Sequence, residues 1–330
     1  MIPLDRLIVE VSEQCSSRCT TCRIWSIRSP VTLPLEILER HVAGTLATSG
    51  LKRLNISGGE PFERTDLEAV HDLFRRSVGN SFLLSCITNG QWPDRVDQLV
   101  GRFAEAGPVQ LFVSLDGPTS AVNDPLRGTK GAFDSSLETI KRLVDLRIRF
   151  QTLRVGISFT ASRRNFDSIY ATHKLALRLG IDFIARPALK NAAFYLNDRA
   201  SEKWELTNEQ LEAVHSQLKQ VCAERLDLIP SQQHFFCSTL PGAVSWRDYD
   251  CWAGTRSACI RPNGDVVACL FSTWTMGNVH AESLDGILES AAATSARQRI
   301  AARECTCWND SETLSTWEYN QGAPSVRAGW

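Results

Sequence analysis

From residue 7 to about residue 187, short apolar runs rich in β-branched residues alternate with longer stretches whose apolar positions recur at helical spacing. The strand candidates are "LIVEV" (7–11), "RLNIS" (53–57), "FLLSCI" (82–87), "VQLFVS" (109–114), "LRVGISFT" (153–160) and "DFIAR" (182–186). Between them lie the helical patterns "LEILERHVAGTL", "LEAVHDLFRRS", "RVDQLVGRFAEA", "SSLETIKRLVDL" and "SIYATHKLALRL". Thr65 with Glu68 reads as a capping box opening the second of these. Strands alternating with helices imply parallel pairing through right-handed crossovers. An open barrel and a doubly wound sheet both satisfy that pattern. The barrel is the expected form: an α/β partial (β/α)6 TIM-like barrel over residues 1–190.

The alternation then stops. Residues 191–245 read as a helical connector, in which "TNEQLEAVHSQLKQVCAERL" (207–226) opens on a Thr207/Gln210 capping box. Residues 246–310 read as a small C-terminal domain built on a β-hairpin, "CIRPNGDVVACLF" (259–271), with Asn263-Gly264 as a two-residue turn. That turn sets Cys269 opposite Ala258 and, because side chains alternate, puts Cys259 on the other face. Helical "SLDGILESAAATSARQRIAAR" leads to "ECTCW" (304–308), and the tail 311–330 shows no usable period.

Composition narrows the class. The 330 residues are 43% hydrophobic, enough for a sizeable core. The 36 basic and 37 acidic residues leave a net charge of −1, with no basic excess to recruit nucleic acid. No run reaches the roughly 18 apolar residues of a membrane span, and "MIPLDRLIVEV" is not laid out as a signal peptide. A cytoplasmic protein is expected. Eleven cysteines in such a chain then point to metal ligands rather than disulfides.

The strand ends carry the chemistry. After the first strand come Cys15, Cys19 and Cys22; later strands lead into "SGGEP" (57–61), "TNG" (88–90), "SLDGP" (114–118), "TASRRN" (160–165) and "RP" (186–187). In a parallel barrel such loops converge on one face, where sites are built. A structural zinc site usually closes with four ligands. A four-iron cubane takes one protein ligand per iron, so three thiolates hold three corners and leave one iron open. A zinc site borrowing a distant fourth ligand is the competing reading.

The Cys-x3-Cys-x2-Cys spacing followed by "GGEP" resembles the radical S-adenosylmethionine (radical SAM) superfamily, over residues 7 to 187. The resemblance implies that Cys15, Cys19 and Cys22 hold a 4Fe-4S cluster whose open iron chelates S-adenosylmethionine. It places Gly58, Gly59, Glu60 and Pro61 at the methionine amino group, with Glu60 accepting from the ammonium. Asn89, Ser114 and Asp116 fall where relatives contact the ribose or the methionine part. Relatives often carry an aromatic residue before the third cysteine, where this chain has Thr21. Trp25 is a candidate to shield the adenine instead, or a packed loop residue. The implied chemistry is reductive cleavage of the cofactor to a 5′-deoxyadenosyl radical, fed by a low-potential donor such as flavodoxin or ferredoxin.

The hairpin region resembles the SPASM or twitch extensions of the same superfamily, implying a second, auxiliary iron–sulfur cluster on Cys251, Cys269, Cys305 and Cys307. The closing pair, Cys-x-Cys, is tighter than the usual Cys-x2-Cys. Cys259 competes for a ligand role. Cys86 and Cys222 read as core thiols. Cys237, near His234, is a candidate hydrogen-atom donor or alternative ligand. A fully ligated auxiliary cluster suits an electron acceptor, hence net oxidation at an unactivated C–H. With 14 residues before Cys15, no peptide-recognition domain precedes the core, which favours a biosynthetic small molecule as substrate. A peptide maturase or epimerase is the alternative. A non-catalytic iron–sulfur or zinc module is the reading from another class.

Overall fold

The computed structural model describes residues 4–224, 251–305 and Glu312, without the side chains of 200–202. Six strands follow the sequence pattern to within about a residue: β1 Arg6–Glu10, β2 Arg53–Ser57, β3 Leu83–Thr88, β4 Val109–Ser114, β5 Leu153–Ala161 and β6 Asp182–Pro187. They lie in sequence order, each parallel to the next. The helices between them are α1 Leu35–His41, α2 Ala43–Ser49, α3 Leu67–Val78, α4 Pro93–Ala106, α5 Ser120–Arg127, α6 Ala132–Arg149 and α7 Ile169–Arg178. The fold is α/β, with the parallel sheet of a partial TIM-like barrel.

The two faces of the sheet differ sharply. Outward positions such as Leu7, Val9, Leu54, Ile56, Leu111, Val113, Ile157 and Phe183 are buried in the main core. The register puts Glu10, Ser57, Ser85, Gln110, Ser114, Ser158, Thr160 and Arg186 on the inward face. Bonds within that face confirm it: Arg6 Nε donates to Asn55 Oδ1 at 2.8 Å, and Arg186 Nη2 to Ser158 Oγ at 3.0 Å. Ile87 of β3 points the same way and is 38% exposed, although β3 is interior to the sheet. A strand normally buries such a residue, so the inward face leaves open space at Ile87, the lumen, while Glu10, Ser85, Gln110 and Ser158 on the same face are buried together with Ile8 and Phe112.

The C-terminal strands are continuous with this sheet. β7 Ser257–Ile260 pairs parallel with β1, and β8 Asp265–Val267 and β9 Thr275–Asn278 follow antiparallel, extending the order to β6-β5-β4-β3-β2-β1-β7-β8-β9. The hairpin is present, but its register differs from the two-residue turn. Cys259 pairs with Val267 and Ile260 with Val266. Arg261 N–H donates to the Asp265 carbonyl and Gly264 N–H to that of Arg261, with Gly264 in the left-handed region at φ 87°. The loop is therefore the three residues Pro262 to Gly264, the next commonest hairpin connection. The alternation argument that put Cys259 and Cys269 on opposite faces falls with it, since the true register moves every partner by one.

Two capping expectations divide. Gln210 N–H donates to Thr207 Oγ1 at 3.3 Å and Thr207 N–H to Gln210 Oε1 at 3.0 Å, a reciprocal box opening α8, Asn208–Glu224. No such bond joins Thr65 and Glu68. Asp66 stands at that helix start, gripped by Arg64 Nε at 2.7 Å. Beyond β9 come α9 Leu284–Glu289 and α10 Ala291–Ala301. Among the described residues no helix is long and apolar enough to cross a membrane.

Candidate active site

The loop after β1 has almost no regular structure, and three separate segments hold it. The first is the "SGGEP" turn. Gly59 N–H donates to the Ser12 carbonyl and Glu60 N–H to that of Gln14, each at 2.7 Å. A Cβ on Gly59 would stand 2.1 Å from the Gln14 carbonyl oxygen. The close approach these glycines permit is thus between two protein backbones, and it fixes where the loop leaves the sheet. The second is the end of α5, where Arg18 N–H donates to the Arg127 carbonyl and Thr20 N–H to that of Leu126. Gly128, at φ 63°, lies so close that its Cβ would meet the Arg18 carbonyl oxygen at 2.2 Å. The third is the stretch after β6, where Asn197 Nδ2 donates to the Thr21 carbonyl at 2.6 Å and Arg23 N–H to that of Tyr195 at 2.7 Å.

Within this frame Cys19 is buried and Cys15 and Cys22 are half-buried. Burial pushes the Cys15 and Cys22 thiols up to about 12, with charge on Cys19 adding to it, and raises Cys19 as well. Backbone N–H groups, that of Ser17 at Cys15 and those of Ile24 and Arg23 at Cys22, act against that rise. Trp25 closes the loop from outside. Its indole N–H donates to the Cys22 carbonyl at 2.8 Å, and the ring borders a cavity of about 580 Å³ that also meets Cys15, Phe62 and Trp92. It is half-buried, tied to the loop by its indole and facing the cavity with its ring.

Glu60 is 1% exposed and accepts from three protein donors: Phe62 N–H at 3.2 Å, the Thr88 hydroxyl at 2.8 Å and Asn89 N–H at 2.5 Å. Burial pushes its carboxyl up to about 7 against those bonds. A carboxylate offers about four acceptor sites, so roughly one remains. Pro61 opens the single helical turn Pro61–Glu63 behind it. Asn89 contributes a bare donor, its Nδ2 being buried with no partner. Asp116 is occupied internally: Oδ1 accepts from Thr160 N–H at 2.8 Å and Oδ2 from Arg127 Nη1 at 3.3 Å. Ser114 is half-buried on the lumen wall.

Arg127 went unread in the sequence. Its guanidinium interacts with the Cys15 and Cys19 thiols as well as Asp116, and its Nε is buried without a partner. Unpaired buried polar atoms are scarce in native proteins. The three thiols on one loop, the bare Arg127 Nε of the guanidinium that interacts with them, and the bare Asn89 Nδ2 next to Glu60 suit an anionic, sulfur-ligated cluster with a polar ligand.

In the C-terminal region Cys269 is buried and Cys251 and Cys305 are half-buried. Cys269 and Cys251 interact electrostatically, and burial raises the Cys269 thiol. Cys259 packs apart, with Ile8 and Val267, and its Sγ lies 3.3 Å from Glu10 Oε1. Cys86 and Cys222 are core thiols. Cys237, His234 and Cys307 lie outside the described residues.

Comparison with known proteins gives these groups their context. Residues 9–165 match the family model of the radical SAM superfamily, and residues 251–309 that of the SPASM iron–sulfur cluster-binding domain. The AdoMet-dependent heme synthase of Methanosarcina barkeri is 28% identical over 88% of this chain and 84% of its own. The mycofactocin maturase MftC of Mycolicibacterium smegmatis is 27% identical over 80% of this chain and 63% of its own. Among solved structures, Streptococcus suis SuiB bound to S-adenosylmethionine superposes with a TM-score of 0.65 at 17% identity, covering 89% of this chain and 68% of that one. The AdoMet-bound enzyme anSMEcpe gives 0.65 at 17%, covering 92% and 86%. The cofactors that follow are S-adenosylmethionine, a 4Fe-4S cluster and auxiliary iron–sulfur ligation in the C-terminal domain. This chain is a radical SAM enzyme with a SPASM-type C-terminal domain.

Proposed function

We propose that the enzyme removes a hydrogen atom from an unactivated C–H of a biosynthetic small molecule held in the lumen, for a net two-electron oxidation. The observation that carries this reading is the lumen itself. Polar side chains share the sheet's inner face with Ile87, which lies open within it, and β1, which carries Glu10 on that face, leads into the loop of Cys15, Cys19 and Cys22. When bound, the cluster and S-adenosylmethionine supply a 5′-deoxyadenosyl radical. The chain's part is positioning and exclusion of stray donors. Asn89 Nδ2 and Arg127 Nε are the donors free to meet the cofactor's carboxylate or hydroxyls. Glu60 has about one acceptor direction left for its ammonium, and Ser114, half-buried on the inward face, is a further proposed contact.

Cys251, Cys269, Cys305 and Cys307 are the proposed ligands of one auxiliary cluster, which suits an electron acceptor. The packing of Cys259 against Glu10 favours leaving it out of that set. A low-potential flavodoxin or ferredoxin is the proposed donor. The maturase among the relatives supports a second reading, a peptide substrate entering the same lumen.

The test is anaerobic reconstitution with iron and sulfide, followed by dithionite and S-adenosylmethionine. About eight irons per chain with 5′-deoxyadenosine formed are expected for two four-iron clusters. About four irons with nucleoside formed would remove the auxiliary cluster from this reading. Zinc in place of iron, with no nucleoside, would support a binding module instead.

A further inference from the structure

β1 stands between the two groups of cysteines. At its end the chain continues from Glu10 into the Cys15 loop, and along its edge runs β7, whose hairpin leads to Cys269. At this seam, on the lumen side, sits a pair of side chains outside both sets of cluster cysteines. Glu10 and Cys259 are 7% and 0% exposed, and the thiol donates to Glu10 Oε1 at 3.3 Å. Among the described residues this is the only hydrogen bond to the Glu10 carboxyl, and Oε2 has none. The row of neighbours across the strands runs from Glu10 to Ser57, half-buried, and on to Ile87, the open residue of the lumen wall. One step past the last pair of β1 and β7, Val9 with Ile260, lies Arg261, with a buried Nε that has no partner.

A carboxyl placed this way is not a packing residue. Its Oε2 has no protein partner and is not among the fully enclosed unpaired atoms, so it keeps contact with open space. The register turns that carboxyl to the inward face, where substrate is proposed to sit.

We propose that Glu10 is the proton acceptor of the lumen, taking the proton that leaves the substrate radical as its electron passes to the iron–sulfur cluster held at Cys269, with Cys259 setting its proton affinity. The assignment rests on the oxidation reading given above. A substrate group H–C–X–H first gives its carbon-bound hydrogen atom to the deoxyadenosyl radical, forming 5′-deoxyadenosine. The remaining radical gives its X–H proton to the Glu10 carboxylate and one electron to the oxidised cluster. A C=X bond is left, so two hydrogens and two electrons are accounted for.

The surroundings suit that role. Burial pushes the Glu10 carboxyl up to about 7, while the charge of Arg261 and the Cys259 hydrogen bond hold it down and Glu13 of the cysteine loop raises it further. Those are the titratable and charged groups facing it; β2 presents Ser57. Near neutral pH such a group both accepts and releases a proton. Cys259 pairs across the hairpin with Val267, two residues before Cys269, so the proton site adjoins the strand that leads to the auxiliary centre.

The test needs no substrate. In the reconstituted full-length protein, the midpoint potential of the auxiliary cluster is measured by electron paramagnetic resonance at roughly pH 6 to 9. A tenfold rise in Glu10 proton affinity on reduction is expected, read as a fall of about 59 mV across that range. Glu10→Gln flattens it. Cys259→Ala removes the hydrogen bond and moves the titration to higher pH, whereas Cys259→Ser leaves it in place. Infrared spectra of the metal-free chain provide an independent reading: of the carboxylic acid absorbance titrating near neutral pH, to which Glu60 also contributes, Glu10→Gln removes the Glu10 share and leaves that of Glu60. If that variant does not fold, the Cys259→Ala shift carries the test. Two clusters with a pH-independent potential, or a slope that survives Glu10→Gln, overturn the assignment alone. A single cluster per chain overturns the oxidation reading and this assignment with it.

Discussion

The thiols of the β1 loop are neutral in the metal-free chain because burial disfavours their charge. With Cys15 and Cys22 held at about 12 against a usual 9.0, iron loading must release protons and strengthens as pH rises. Stability has the opposite sign. A thiol whose pKa is higher folded than unfolded contributes its full stabilisation below about pH 9 and loses it as pH climbs towards 12. The urea midpoint of the metal-free protein should therefore fall steadily above pH 9. A midpoint flat to pH 11 would mean that the thiols are solvated. Gly59 gives a second residue-scale prediction. A methyl group 2.1 Å from a backbone oxygen forces the two loops apart, so Gly59→Ala should destabilise by about 3 kcal/mol, the upper range for overpacking. Thermal unfolding would show the loss, and iron content after reconstitution would fall with it.

At the scale of elements, β1 has no free edge. One side takes β2 and the other β7, contributed from some 250 residues further along the chain. A chain ending at Glu224 would uncover a buried, apolar parallel strand, and such edges template association. It should aggregate during size-exclusion chromatography where the full chain does not. Ala258→Pro, beside Leu7, removes a ladder donor and should cost about 1–3 kcal/mol for the carbonyl left unpaired. Helix starts show how far local sequence reaches. Thr207 and Gln210 find each other because nothing else competes, whereas Arg64 claims Asp66 and reaches back to the Val11 and Leu33 carbonyls, a tie invisible to a four-residue motif. The hairpin shows the same limit, because Asn-Gly marks a turn without deciding between two and three loop residues.

Across the whole molecule, what was legible was whatever repeats or has fixed spacing: the six strands, their order, the three cysteines and the glycine turn after β2. What was not legible depends on residues far apart in sequence. Arg127 beside the thiols, Asn197 on the Thr21 carbonyl and Glu10 beside Cys259 carry no local signature, since each acts through a partner 100 or more residues away or through a register only the folded sheet sets. Asp116, expected at the cofactor, also ties the end of β4 to β5 and α5, a role no local motif announces. The same long-range view predicts a separation of effects. Ile87→Ala at the open lumen wall should leave the melting temperature within about a degree, as exposed sites do, while lowering affinity for whatever substrate the lumen holds. Asp116→Ala should unfold the protein several degrees earlier.

The cysteine loop is held by the "SGGEP" turn, by the end of α5 and by Asn197, and all three grips are bonds between protein atoms. None of them waits for iron. A cluster stripped out by oxygen would leave behind a cradle already in shape, so renewal becomes delivery of iron and sulfide to a finished place rather than refolding around them. An enzyme of oxygen-sensitive chemistry would then be repaired in service, its lifetime set by the polypeptide and not by the inorganic part it carries.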